Sequence, residues 1–278
     1  MTFLERMADA SRERVRAARA KESEAALERR ALAQAPAPAL RLDDFDVIAE
    51  LKLRSPAAGS LATSDFDAGA QLASYVRGGA VAVSVLTEPT EFRGDLAHLA
   101  AAADELARAR RPAMRKDFLV DVYQVLEARA AGAGGVLVIL AMLDDAAVRE
   151  IVSCAQRCGM FVLLEAFDRA DLERLSAYDA PAANGPPLLA GVNCRDLRDL
   201  NVRFERFAEL GPHLPRHLAA VAESGIGSVA DVEAVVAAGF RLALVGSSLM
   251  RAADSAAALA KLVAAGRAAV AGRQARCS

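Results

Sequence analysis

Acid–base and anion-binding residues fall at short, regular spacings in this chain. Glu50 and Lys52 are two apart in Glu50-Leu51-Lys52, followed by Arg54-Ser55-Pro56. Lys116 and Asp117 sit together in Met-Arg-Lys-Asp-Phe, and Glu165 ends the otherwise apolar Phe161-Val-Leu-Leu-Glu. Asn193-Cys194-Arg195-Asp196, Glu223-Ser224-Gly225 and Gly246-Ser247-Ser248 follow further along. A lysine and a glutamate brought together can pass protons if burial and neighbours tune them. Spare cations suit carboxylate or phosphate, and glycine–serine turns ahead of helical stretches present bare N–H groups to anions. The three histidines, His98, His213 and His217, belong to none of these clusters. The i,i+4 pair His213/His217 is interrupted by Pro215, so neither a histidine triad nor a histidine metal site is expected. Cys154 and Cys158 have no second Cys or His pair nearby in sequence and read as small, half-buried residues.

Each of these groups terminates a short apolar run. The runs are 46–51, 80–86, 112–118, 135–140, 160–166, 188–193, 218–224 and 242–246, separated by alanine-rich helical stretches. Strands apolar at nearly every position suit a parallel sheet covered on both faces, and the helices supply the crossovers. Gly78–Gly79, Gly132, Gly159 and Gly239 each stand between a helical stretch and the next run, as helix-ending glycines do. Eight such units predict an α/β fold, a (β/α)8 TIM barrel of residues 44–278 with an N-terminal helical extension over 1–43, forming one domain. An open doubly wound sheet is the alternative, because periodicity does not show closure; no Gly-rich dinucleotide fingerprint supports it. In a barrel the polar run ends meet at one mouth, and Glu50 and Lys52 share its inner face. The turns after the seventh and eighth runs occupy a frequent phosphate position of barrels.

The whole-chain numbers narrow the class. The 278 residues carry a net charge of −2 with basic and acidic residues interleaved, which gives no reason to expect nucleic acid. The arginine- and glutamate-rich start is no signal peptide, and no window reads as a membrane span. Four scattered cysteines make no disulfide framework. A reduced, cytoplasmic enzyme is the expectation.

The chain from about residue 44 resembles the indole-3-glycerol phosphate synthases of tryptophan biosynthesis. The resemblance is carried by IAELKLRSP (48–56), SVLTEPTEFRGDL (84–96), MRKDFLVDVYQV (114–125), GVNCRDL (191–197), VAESGI (221–226) and LVGSSLM (244–250). It implies a lyase that closes, decarboxylates and dehydrates 1-(2-carboxyphenylamino)-1-deoxyribulose 5-phosphate without cofactor or metal. Lys116 would be the general acid and Glu165 the opposing acid/base, with Glu50 tuning the lysines. Lys52 would hold the carboxylate or phosphate, and Asn193 and Arg195 would position the substrate. Glu223 and Ser224 would line the mouth, and Phe92 and Leu197 would pack on the aromatic ring. Ser55, Gly225, Gly246 and Ser247 would cradle the phosphate, and the N-terminal helices would cover the mouth. Departures from the family pattern are Cys194 for Asn or Ser, Phe167 for His, Ala57-Ala58 for polar residues and Asp95 for Ser. They leave two alternatives: a paralogous phosphosugar barrel with a different substrate, or a non-catalytic scaffold for other tryptophan-pathway enzymes.

Overall fold

The computed structural model describes residues 1–55, 59–60, 66–178, 185–196 and 201–277. Two helices come first, α1 (Phe3–Arg19) and α2 (Glu24–Leu32), capped by Thr2 and Ser23. Strand β1 (Asp46–Leu51) follows, then a small antiparallel ribbon, β2 (Arg54–Ser55) and β3 (Gly59–Ser60). From there strands and helices alternate: α3 (Ala68–Arg77), β4 (Ala82–Leu86), the short α4 (Pro89–Phe92), α5 (Leu96–Arg108), β5 (Ala113–Lys116) and α6 (Val122–Ala130). Next come β6 (Gly135–Ile139), α7 (Asp145–Arg157), β7 (Phe161–Ala166), α8 (Arg169–Leu175), β8 (Leu188–Asn193) and α9 (Arg206–Leu210). The chain ends with β9 (Ala219–Glu223), α10 (Val229–Ala237), β10 (Leu242–Val245), α11 (Ser247–Arg251) and α12 (Ser255–Cys277).

Strands β1 and β4–β10 pair in parallel, in chain order, and β1 closes on β10: the sheet is an eight-stranded barrel. Each strand lies inside one apolar run of the sequence. Closure, which periodicity left open, is fixed by the register Asp46↔Leu242 through Ala49↔Val245.

The two-residue period of a strand sorts the core into two layers. Inward residues Ile48, Met114, Leu137, Phe161, Leu163, Leu189, Val221 and Leu242 fill the barrel. Their outward neighbours, including Val47, Ala49, Val83, Val162, Leu164 and Ala190, pack beneath the helices. The helix-ending glycines Gly79, Gly132, Gly159 and Gly239 all have positive φ, between 71° and 104°. The junction before β5 has no glycine, and Arg110 takes the left-handed position there at φ 54°.

One expectation needs correction. Segment Ser255–Ala275 of α12 has a mean hydropathy of 1.2 and is long and apolar enough, by composition, to cross a membrane. Its role in the fold is different: Leu259, Leu262 and Val263 are buried in the outer core. Arg267 donates to Phe45 O and Asp46, and Arg273 donates to Val236 O on α10. Alanine raises hydropathy without adding much apolar surface, so a barrel helix passes a hydropathy threshold.

Candidate active site

The inner position at the C-terminal end of five of the eight barrel strands switches from apolar to polar. On β1 the inward series runs Ile48, Glu50; on β5 Met114, Lys116; on β7 Leu163, Glu165; on β8 Leu189, Gly191, Asn193; on β9 Val221, Glu223. The same alternation that fills the core therefore delivers these groups to one mouth. They line a cavity of about 370 Å³, within the range of small-ligand sites.

Two ion clusters lie inside it. Lys52 Nζ sits 2.7 Å from Glu50 Oε1, both side chains mostly buried. Lys116 Nζ sits 3.5 Å from Glu165 Oε2 and 3.8 Å from Glu223 Oε2, and those two carboxylates are 2% exposed. Glu165 Oε2 and both oxygens of Glu223 are buried without a hydrogen-bond partner. Unsatisfied buried carboxylate oxygens are costly, and a site that must bind a polar ligand is where such groups persist.

The electrostatics follow from this crowding. Burial works to lower the Lys116 pKa, but the carboxylates of Glu165, Glu223 and Glu50 outweigh it and hold it above the ordinary lysine value. Lys116 therefore stays an ammonium, able to donate. Glu223 is pushed well above the usual carboxylate range, first by burial and then by the neighbouring Glu165. One lysine cannot neutralise two adjoining carboxylates, so a proton is retained there. Glu50 moves the other way: burial raises its pKa, and Lys52 and Lys116 more than reverse that.

Two glycines make the space. A Cβ on Gly191 would run into Glu223 Oε1, and one on Gly246 would run into Glu50, reaching its Cβ at 3.1 Å. Gly191 is paired with Glu165 across the β7–β8 ladder, so a vacancy in β8 lies beside the carboxylate pair.

Phe92, Phe118, Leu137 and Ile139 add an apolar wall, with Ile139 beside Glu165 across the β6–β7 ladder, and Phe3 reaches it from α1. Phe118 meets Phe3 edge-on at 5.8 Å between centroids and Phe92 at 6.2 Å. On the remaining side Ser224 and Gly225 both take φ 72°, and the Cys194 thiol donates to Ser224 O at 3.3 Å. The first N–H groups of α11 at Ser247 and Ser248 begin a helix and have no intrahelical acceptor. The nearby N–H groups of Gly227 and Ser228 are taken by Asp231 Oδ2 at 3.0 and 2.8 Å, so the start of α10 is satisfied from within.

Of the residues singled out in the sequence, Glu50, Lys52, Phe92, Lys116, Glu165, Asn193, Arg195, Glu223, Ser224, Gly225, Gly246 and Ser247 all line this cavity. Asn193 Oδ1 accepts from Arg195 N at 2.9 Å, bending the chain after β8. Ser55 pairs through its backbone with Gly59. Leu197 lies outside the described residues. Sequence reasoning missed Phe3 and Phe118, whose positions depend on how α1 docks, and Gly191, which a glycine within a strand could have signalled. Among the described residues no group of three or more His, Cys, Asp or Glu could hold a metal ion.

Known proteins of the same architecture include 3-hexulose-6-phosphate synthase from Salmonella typhimurium, with a TM-score of 0.62 at 15% identity over 81% of this chain and 100% of that one. Thiamine phosphate pyrophosphorylase from Pyrococcus furiosus superposes with a TM-score of 0.58 at 15% identity, over 81% and 97% of the two chains. At such identities the likeness is one of fold. Sequence relatives are much nearer. The indole-3-glycerol phosphate synthase of a Nocardioides species is 43% identical over 79% of this chain and 80% of its own. That of Arthrobacter is 40% identical over 98% of this chain and 100% of its own. The family model for indole-3-glycerol phosphate synthase matches residues 4–262, the barrel together with most of the helical segment before it, and the chain belongs to that family.

Proposed function

We infer that this mouth converts 1-(2-carboxyphenylamino)-1-deoxyribulose 5-phosphate to indole-3-glycerol phosphate, with Lys116 as its principal acid. The family's activity is that of an indole-3-glycerol phosphate synthase, a carboxy-lyase acting on a phosphorylated small molecule. The single observation that carries the residue assignment is the Lys116 ammonium, poised between two buried, under-bonded carboxylates at the inner end of the barrel.

The chemistry divides naturally over the site. The ring carbon bearing the carboxylate bonds to the keto carbon, and the keto oxygen takes a proton from Lys116. The carbon–carboxylate bond then breaks, its electron pair restores aromaticity, and carbon dioxide leaves. The new hydroxyl departs as water while the neighbouring methylene gives up a proton, completing the indole. Glu165 removes or returns the protons of that last step, and the proton held with Glu223 resupplies the lysine. Glu50 holds Lys52 for the substrate carboxylate or phosphate. Asn193, Arg195, Glu223 and Ser224 orient the chain of hydroxyls, while Phe92 flanks the ring. Ser55, Gly225, Gly246 and Ser247 hold the phosphate. The wall of Phe92, Phe118, Leu137 and Ile139 supplies the apolar surroundings in which a carboxylate is destabilised relative to carbon dioxide. Residues 1–43 form the helical extension over the mouth and 44–278 the barrel. The working place is the cytoplasm, where other tryptophan-pathway enzymes are its candidate neighbours.

Purified chain given this substrate, with no metal or cofactor added, is expected to produce the fluorescence of the indole product. Lys116→Ala and Glu165→Gln are each expected to lose about 10²–10⁴-fold in kcat. Near-normal turnover in Lys116→Ala would remove it from the role of acid.

A further inference from the structure

We propose that Arg14, on the N-terminal helix, is a positioning residue for Lys116, acting through the carboxylate of Asp117. Asp117 directly follows Lys116 at the end of β5, and its side chain is 1% exposed. Four donors saturate it. Oδ1 accepts from Phe118 N at 2.8 Å and from Arg14 Nη2 at 2.8 Å. Oδ2 accepts from Thr87 Oγ1 at 2.8 Å and from Arg115 Nη2 at 3.0 Å. Three of the four belong to β5 or to the residues just after β4 and β5. Arg14 alone comes from outside the barrel.

The same helix makes a second connection one turn earlier. Ser11 Oγ donates to Phe118 O at 2.5 Å and accepts from Gln124 Nε2 at 2.9 Å. Helix α1 therefore holds the two residues after Lys116 through one side-chain and one main-chain acceptor. Thr87 N donates to Lys116 O at 3.1 Å, so the lysine's backbone belongs to the same network. Arg14 Nη1 also lies 3.7 Å from Glu88 Oε1, and that carboxylate caps α4, which carries Phe92 into the mouth.

Charge explains why Arg14 matters more than one hydrogen bond. Arg115 already serves Glu127 at 3.0 Å as well as Asp117, and Glu88, the other carboxylate near Arg14, is fully buried. Without Arg14 the one guanidinium left at Asp117 would be shared with Glu127, Glu88 would lose its arginine neighbour, and a buried Asp117 oxygen would lose a charged partner. The strand end relaxes to satisfy it, and Lys116 Nζ moves relative to Glu165 and Glu223. A shift of about 1 Å at a reacting group is enough for roughly 10²-fold in rate. Arg14 does not line the cavity, and Glu88 and Asp117, which do, keep their other hydrogen bonds without it, so substrate affinity is expected to change less than turnover.

This inference rests on Lys116 being the acid. The test compares the parent chain with Arg14→Ala, Arg14→Lys and Lys116→Ala, all full length, measuring kcat, KM and the urea midpoint. Arg14→Ala is expected to lower kcat about 10- to 100-fold with KM changed less than about 3-fold. Arg14→Lys keeps the charge but not the forked geometry and is expected to fall in between. Guanidinium ion at about 10–20 mM, well below denaturing concentration, is expected to restore part of kcat in Arg14→Ala and none in Lys116→Ala. Unchanged kcat in Arg14→Ala, or a loss matched by KM or by the unfolded fraction, overturns the proposal. So does failure of guanidinium to rescue. Should Arg14→Ala not fold, parent-like kcat in Arg14→Lys overturns it and a selective drop in kcat supports it. Full turnover in Lys116→Ala would instead remove the catalytic reading on which this one stands.

Discussion

Gly191→Ala is expected to damage catalysis far more than stability, and the damage is expected to run through one residue. The added methyl would stand beside Leu163 Cδ1 at 3.0 Å and Leu164 O at 3.3 Å, and on top of Glu223 Oε1. The backbone oxygen is fixed, but the far end of a glutamate can swing. Overpacking of this kind costs about 1–3 kcal/mol, and the flexible partner places Gly191→Ala near the lower end. For a chain of this size each kcal/mol lowers Tm by roughly 2–4 °C. The carboxylate must retreat by about 1 Å to reach ordinary contact, which disturbs its 3.8 Å approach to Lys116 and is expected to lower kcat roughly 10- to 100-fold. Turnover by product fluorescence and urea midpoints would be measured for the parent, Gly191→Ala, Glu223→Ala and the double variant. Once Glu223 is truncated only the Leu163 and Leu164 contacts remain, neither of them a catalytic group, so in that background Gly191→Ala should cost little further kcat. Its stability cost should also fall by about 1 kcal/mol, a coupling beyond the usual additivity error. Equal losses of kcat from Gly191→Ala in both backgrounds would refute the reasoning.

The proton held at Glu223 also has a stability signature. Its folded pKa lies above the unfolded value of 4.5, so the associated stability is complete below that pH and is lost as pH rises through the folded value. The urea midpoint of the parent should therefore decline relative to Glu223→Gln as pH rises above 4.5; parallel curves would refute this. Among the buried and half-buried thiols, Cys158 should alkylate first near neutral pH. The Cys154 thiol beside it, with Arg129 and Arg157, brings Cys158 to about 7, against the opposing effect of burial. Burial pushes the Cys194 thiol up to about 12, so peptide mapping that finds Cys194 modified before Cys158 would contradict this.

How much of this was legible in the sequence depends on which physical signal each feature leaves. All eight barrel strands announce themselves because parallel strands are buried on both faces, and the polar residues that end most of the runs mark the mouth. Glu50, Lys116, Glu165, Asn193 and Glu223 were readable for that reason. Closure was not, because a strand of an open sheet carries the same pattern. The two-residue ribbon after β1 leaves no periodicity to read. The α5–β5 junction escaped the glycine rule because Arg110 adopts the left-handed conformation instead. Arg14 and Phe3 belong to a helix whose surface pattern says that it is amphipathic but not what it covers; only the docked structure brings Arg14 to Asp117. Gly191 was legible in principle, as a glycine inside an apolar strand, yet the residue needing its space lies more than thirty positions away.

Gly191 and Gly246 together suggest how the barrel tolerates its own active site. Glu50 and Glu223 each project from an inward position where neighbouring strands would ordinarily contribute a branched side chain. In one case the adjacent strand β8, in the other the turn just after β10, contributes a glycine, and a methyl there would collide with the carboxylate. The top of the barrel is thus shaped by omitted side chains as much as by those present, and it forfeits the packing they would have supplied. Lower layers make up that loss: Phe161 packs across Gly135, with Met114, Leu163, Leu189 and Val221 filling the interior beneath the carboxylates. Gly246 carries two demands, since the turn that begins α11 also needs an unhindered backbone at the mouth. Substitution there should therefore fail in two ways, by displacing Glu50 from Lys52 and by obstructing the anion turn, whereas at Gly191 the one catalytic group in the way is Glu223. That division makes Gly191 the cleaner probe of the carboxylate pair.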